Sequence, residues 1–134
     1  MTLIDTNVLL DLVTDDPVWV AWSIRQLDAA SLQGPLIIND VVYAELSVRF
    51  DRIEDLDDTL DEAGITLALM PRPALFLAGK VFQRYRAAGG ARNGVLPDFF
   101  IGAHAVVADM PLLTRDVRRY RTYFPSLKLI APEA

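Results

Sequence analysis

Cysteine is absent from the 134 residues, histidine occurs once, as His104, and lysine only twice, as Lys80 and Lys128. Without thiols there are neither disulfides nor thiolate metal sites, so packing must hold the fold, as suits a reducing compartment. No uncharged run approaches the ~18 residues of a membrane span, and the first residues show neither a basic region nor an apolar signal core. The expectation is a soluble, unexported, cytoplasmic protein with no membrane partner. Internal repeats, linkers and low-complexity tracts are also missing, which predicts a single domain over residues 1–134. What is abundant is apolar: 52% of residues are hydrophobic, enough for a substantial core. The net charge of −5 argues against loose attraction to nucleic acid over the whole surface. It is unevenly spread, however. Residues 1–70 hold 14 acidic and 3 basic side chains, and residues 71–134 hold 4 acidic and 10 basic. The second half could carry a local basic surface.

The chain opens on Leu3-Ile4, an apolar pair that stops on Asp5, Thr6 and Asn7 before Val8, Leu9, Leu10 and Leu12 resume at helical spacing. This predicts a strand, a carboxylate at the junction and a helix. Sites in open parallel sheets form outside the carboxyl ends of strands, so Asp5 is placed for chemistry. Asp, Thr and Asn also cap helices, and capping competes with a functional role. A second helix is expected from Asp15-Asp16-Pro17 to Gly34, with Trp19, Ile24, Leu27 and Leu32 on its apolar face. Leu36 to Ile38 reads as a buried parallel strand, and Asn39-Asp40 as the cap of a helix in which Glu45 shares a face with Val41, Val42 and Val48. Asp51 to Glu62 is a helix with a solvated acidic face, and Ile65 to Met70 an edge strand or extended connection before Pro71 and Pro73. A helix follows with Leu75, Leu77, Ala78, Val81, Phe82 and Tyr85 as its apolar residues and Lys80, Arg84 and Arg86 on the other side, then the small-residue loop Ala87 to Gly94. Pro97-Asp98 opens a helix that is apolar nearly all round to Val107. Leu112-Leu113, ending on Thr114, Arg115 and Asp116, repeats the grammar of the first strand. Leu127 to Ile130 is the last strand. The fold class is α/β with a parallel sheet.

Four carboxylates stand out: Asp5 and Asp116 at strand ends, Glu45 in an apolar helix and Asp98 in the first turn of a buried one. Charged groups on apolar elements need a partner or a metal. With no Cys and one His that metal would be hard, and Mg²⁺ or Mn²⁺ takes oxygen ligands. The positive end of the helix would further favour an ionised Asp98.

With these residues on the page, the sequence resembles the PIN-domain ribonucleases, and specifically the VapC-type toxins of type II toxin–antitoxin systems. The resemblance is carried by Leu-Ile-Asp5-Thr6-Asn7, Asn39-Asp40-Val-Val-Tyr-Ala-Glu45-Leu, Pro97-Asp98-Phe-Phe-Ile-Gly-Ala and Leu-Leu-Thr114-Arg115-Asp116, in order along the whole chain. It implies a PIN-like α/β/α sandwich with a central parallel sheet and an acid quartet, Asp5, Glu45, Asp98 and Asp116, that binds one or two Mg²⁺ or Mn²⁺ ions and hydrolyses RNA. Thr6, Asn7 and Thr114 match the polar positions that orient carboxylates or bound water. A cognate antitoxin and a homodimer are the implied partners. The basic second half predicts an RNA path along Arg84, Arg86, Arg92, Arg115, Arg118, Arg119 and Arg121, with Arg92 and Arg115 nearest the acids.

The remaining polar and aromatic residues carry plainer expectations. His104 reads as a packing residue, Trp19 and Trp22 as core or interface, Tyr120, Tyr123 and Phe124 as core or subunit contacts, and Asp11, Asp15 and Asp16 as solvated. Among rival enzymes, a haloacid-dehalogenase-type phosphatase needs a second Asp where Asn7 stands, and a receiver domain needs a Lys at a late strand end. The alternative from another class is a catalytically silent PIN-like domain that binds protein or RNA.

Overall fold

The computed structural model describes residues 1–91 and 96–132. The described residues form β1 (Thr2–Ile4), α1 (Thr6–Val13), α2 (Val20–Gln33), β2 (Leu36–Ile38), α3 (Asp40–Ser47), α4 (Ile53–Glu62), β3 (Ile65–Leu67), α5 (Arg72–Ala87), α6 (Leu96–Val107), β4 (Leu112–Leu113), α7 (Arg118–Tyr123) and β5 (Leu129–Ile130). The five strands pair in the order β3-β2-β1-β4-β5, all parallel. This is the doubly wound α/β architecture expected, with β1 at the centre and β3 as an edge. The last strand is shorter than the Leu127 to Ile130 run.

Parallel strands need helical crossovers, and right-handed ones send α1 to α4 to one face and α5 to α7 to the other. The helix contacts mostly divide accordingly: α1 packs on α2 and α3, and α3 on α4, while α6 packs on α5 and α7; α3 and α6 also meet across the division. A sheet covered on both faces has no wet side, so its strands read as unbroken apolar runs. Leu3, Ile4, Ile38, Leu112 and Leu113 are accordingly without solvent exposure. The direction of chain order reverses between β1 and β4. That switch point opens a crevice at the carboxyl ends of the two strands, where Asp5 and Thr114 leave the sheet.

One helix face differs from expectation. The buried stripe of α2 is Ser23, Leu27 and Ala30, while Ile24 and Leu32 face solvent. Spacing of four and three residues selects one stripe, and small side chains there let α2 approach its neighbours; hydrophobicity alone pointed one residue away. The acids of α4 are solvated as expected, and no described helix is long and apolar enough to cross a membrane.

On the opposite face, Phe99 of α6 is fully buried among the rings of Phe82, Tyr85, Tyr123 and Phe124. Gly102 makes room for this cluster, since a β-carbon there would stand 2.6 Å from Phe124 Cε2. Gly102→Ala is therefore expected to lose about 2 kcal/mol through overpacking. Urea denaturation measures it, and an undiminished stability would mean that the Phe124 ring swings aside at little cost.

Candidate active site

Asp5 follows β1 directly, and its N–H still donates to Leu113 O of β4 at 2.9 Å. Its backbone is extended, the geometry of a helix N-cap, and Oδ1 accepts the N–H of Thr6 at 2.7 Å. The capping role is real, yet it uses one oxygen only. Oδ2 accepts the hydroxyls of Thr114 at 2.8 Å and Tyr120 at 2.9 Å, with Asn7 Nδ2 at 3.5 Å. A helix cap needs none of these, and Asp5 is only 4% exposed. Burial raises its pKa to about 6; the hydrogen bonds from Thr114, Tyr120 and Thr6 work against that shift, and the negative charge of Asp98 adds to it.

The other three acids arrive from separate elements. Glu45, half-buried on α3, accepts the Thr6 hydroxyl at 2.6 Å. Asp98, in the first turn of α6, accepts Arg119 Nη1 at 2.5 Å. Its pKa is nonetheless raised, because burial and the like charges of Glu45 and Asp116 outweigh the guanidinium. Asp116 is exposed at the rim beyond β4, where Oδ1 accepts the N–H of Arg118. Thr6, Asn7 and Thr114 all touch this group: Asn7 donates to Thr114 Oγ1 at 3.2 Å and accepts the Arg115 N–H at 3.1 Å, tying α1 to the loop after β4. Arg92 lies outside the described residues.

The donor set is all oxygen and its charges repel, which suits a hard divalent cation. Among the described residues, however, no three carboxylates stand close enough to hold one ion as they are, with Asp98 drawn onto Arg119 and Glu45 onto Thr6. The residues fit such an ion by the chemistry of their donors and by mutual electrostatics, but as placed they do not enclose one.

Three side chains carry roles that the sequence hid. Tyr120, expected only to pack, is 2% exposed and spends its hydroxyl on Asp5; its pKa is raised well above normal by burial and by the nearby acids. A buried Tyr needs a partner for its O–H, but nothing in the order of residues says which. Asp11, expected in solvent, is 1% exposed, held by the Ser23 hydroxyl at 2.7 Å and by Arg115 through Nε at 2.7 Å and Nη2 at 2.9 Å. Trp19 lies over that guanidinium, 5.2 Å from its carbon. Arg115, expected on the RNA path, thus spends two N–H groups on Asp11 while its side chain stays 27% exposed. Arg119 is the third, through its bond to Asp98. His104, by contrast, packs as expected. It is buried with Nδ1 3.2 Å from Asn39 Nδ2, and burial lowers its pKa, so it is neutral at neutral pH.

The raised pKa of Asp5 fixes a stability signature for the metal-free protein. The folded chain takes up a proton between the ordinary carboxylate value near 4 and about 6, whereas the unfolded chain does not. Stability is therefore greatest below that window and lost as pH rises through 6. Asp5→Asn removes the buried charge and is expected to stabilise the chain by about 2 kcal/mol at pH 8. At pH 4 the gap should close. Urea titrations in chelator at the two pH values measure this, and a less stable variant at pH 8 would mean that the hydrogen bonds to the carboxylate outweigh its desolvation.

The family model for the PIN domain matches residues 2–125. Comparison with curated proteins gave no match. Among solved structures, VapBC2 from Rickettsia felis, bound to a DNA fragment from its promoter, superposes with a TM-score of 0.75 at 18% identity, covering 98% of both chains. VapBC-1 from nontypeable Haemophilus influenzae gives 0.70 at 16% identity over 97% of this chain and 96% of that one. A toxin-antitoxin complex from Klebsiella pneumoniae gives 0.64 at 20% identity over 99% and 98%. At such identities the likeness is one of fold, whereas the family model spans nearly the whole sequence; with its acids gathered at the switch point of a 3-2-1-4-5 sheet, the chain belongs to the PIN domain family.

Proposed function

We propose that the protein is a Mg²⁺- or Mn²⁺-dependent endoribonuclease and the toxin of a type II toxin–antitoxin pair. The observation that carries this reading is Asp5: a buried carboxylate, costly to ionise, facing the like charge of Asp98 at the carboxyl end of the central strand. Such a charge is tolerated where a cation completes it. Asp5, Glu45 and Asp98 would hold that ion, with Asp116 at the rim. A divalent ion so held supplies a hydroxide-like water at neutral pH and a Lewis acid for the phosphoryl oxygens.

The chain itself supplies position. Thr114 and Tyr120 fix the Asp5 carboxylate by two hydroxyl bonds, and Thr6 fixes Glu45. No side-chain nucleophile is required, and His104 is spent on Asn39. Arg118 and Arg119 line a cleft with Asp116, Thr122 and Tyr123, which suits an anionic strand beside the acids; Arg92, six residues before Asp98 in the sequence, is a further candidate contact. An antitoxin partner belongs to the same reading, supported by the toxin-antitoxin complex from Klebsiella pneumoniae among the structural relatives; a homodimer and a cytoplasmic setting are carried by the family resemblance alone.

Purified protein should cleave single-stranded RNA with millimolar Mg²⁺ or Mn²⁺ and not in excess chelator. Induction in cells should arrest growth, and co-expression of its antitoxin should restore it. Intact RNA with folded, metal-supplied protein would favour the silent binding module instead.

A further inference from the structure

Two arginines approach the acid cluster, and they are held very differently. Arg115 grips Asp11 through two N–H groups, and the Asp11 side chain is only 2% exposed. Arg119 touches Asp98 through one nitrogen, and the side chains are 32% and 30% exposed. The first pair is bidentate on a buried carboxylate. The second is a half-wet, single-point contact, of a kind that contributes little to stability and is readily exchanged. It nevertheless sits on one of the four acids, and among the described residues no three carboxylates stand together.

Arg119 also has an alternative partner. Together with Asp116, Arg118, Thr122 and Tyr123 it lines a cleft of about 400 Å³ next to the acids. Its neighbour Tyr120, on the same short helix, holds Asp5 from a buried position. The backbone of α7 is thus anchored while the Arg119 side chain remains long, charged and partly in water. We propose that Arg119 is a built-in counter-ion of the acid cluster: it holds Asp98 while no divalent ion is bound, yields the carboxylate when one enters, and then takes a substrate phosphate in the adjoining cleft.

This inference rests on the metal-dependent reading above, and it makes Arg119 a competitor of the metal rather than a ligand's support. The guanidinium carries one positive charge against the ion's two, and held on the same carboxylate, at Asp98 Oδ2, it repels the ion. Removing it should tighten divalent-ion binding, because a unit positive charge a few ångströms from the ion repels it. A brace that held Asp98 in ligand geometry would do the opposite.

Mn²⁺ affinity, read by electron paramagnetic resonance of the free ion, separates the two. Arg119→Gln is expected to bind Mn²⁺ about ten-fold more tightly than the wild type, Arg119→Lys in between, and Asp98→Asn more weakly. In parallel, arginine Nε–H spectra of the wild type during Mg²⁺ titration should show the Arg119 signal moving and the Arg115 signal fixed; this arm stands even where Arg119→Gln does not fold. Equal or weaker Mn²⁺ binding by Arg119→Gln, or an unmoved Arg119 signal at saturating Mg²⁺, overturns the exchange while leaving the metal site intact. No Mn²⁺ binding by any folded protein in the series overturns both the exchange and the metal-dependent reading.

Discussion

Asp98→Asn is expected to lower RNA cleavage at least about a thousand-fold while leaving folding stability within about 1 kcal/mol of the wild type. The two halves of that result have separate causes. A metal's charge on the reacting oxygens is worth several kcal/mol, and each 1.36 kcal/mol is a factor of ten, so losing an anionic ligand costs thousands rather than tens. Stability is nearly spared because Asp98 is an expensive anion: burial and the charges of Glu45 and Asp116 raise its pKa even beside Arg119. The amide keeps the volume and removes that repulsion, and Arg119, one third exposed, can turn to water. Cleavage by the purified variant and its thermal midpoint in chelator are the two measurements. An inactive but unfolded variant would make Asp98 a structural cap of α6, and an active one would move the chemistry elsewhere.

For stability, the largest loss is expected at Arg115. Arg115→Ala leaves Asp11 buried and unpaired, with only the Ser23 hydroxyl to hold it, and breaking a buried pair from that side costs about 3 kcal/mol. The thermal midpoint should fall by roughly 10 °C in a domain of this size. Asp11→Asn should be milder, because Arg115 is 27% exposed and can find water when its partner goes. Replacing both, as Asp11→Leu with Arg115→Met, should recover most of the loss. Equal costs for the two single variants would show that the asymmetry in burial does not govern the pair. RNA affinity of Arg115→Ala, measured below its midpoint, should be nearly unchanged; a flattened salt dependence would return Arg115 to the RNA path.

How far the sequence spoke depended on whether a signal was local. The strands were legible because a sheet covered on both faces demands unbroken apolar runs, and Leu3-Ile4, Leu36 to Ile38 and Leu112-Leu113 are such runs. The acids were legible because each sits at a junction: Asp5 at a strand end, Asp98 in the first turn of an apolar helix. Glu45 betrayed itself by sharing a face with Val42. The pairing of Asp11 with Arg115 had no such signature, since the two are 104 residues apart and an acid in the last turn of a helix usually faces water. Tyr120 looked like any core aromatic, as only its O–H partner distinguishes it. Even the stripe of α2 was misplaced, because Ser23 and Ala30 pack as well as larger residues when helices are close.

The ladder of β1 has a temporal side. Its two neighbours are β2, made soon after it, and β4, made late; Asp5 finds Thr114 and Tyr120 only across sequence separations of 109 and 115 residues. At about 5–20 residues per second, synthesis leaves the central strand half-paired for on the order of ten seconds. Throughout that interval the first acid lacks two of its three hydroxyl or amide neighbours, and Asp98 has no arginine. A nascent chain of this order cannot fix the Asp5 carboxylate by its two hydroxyl bonds until β4 and α7 have both been made.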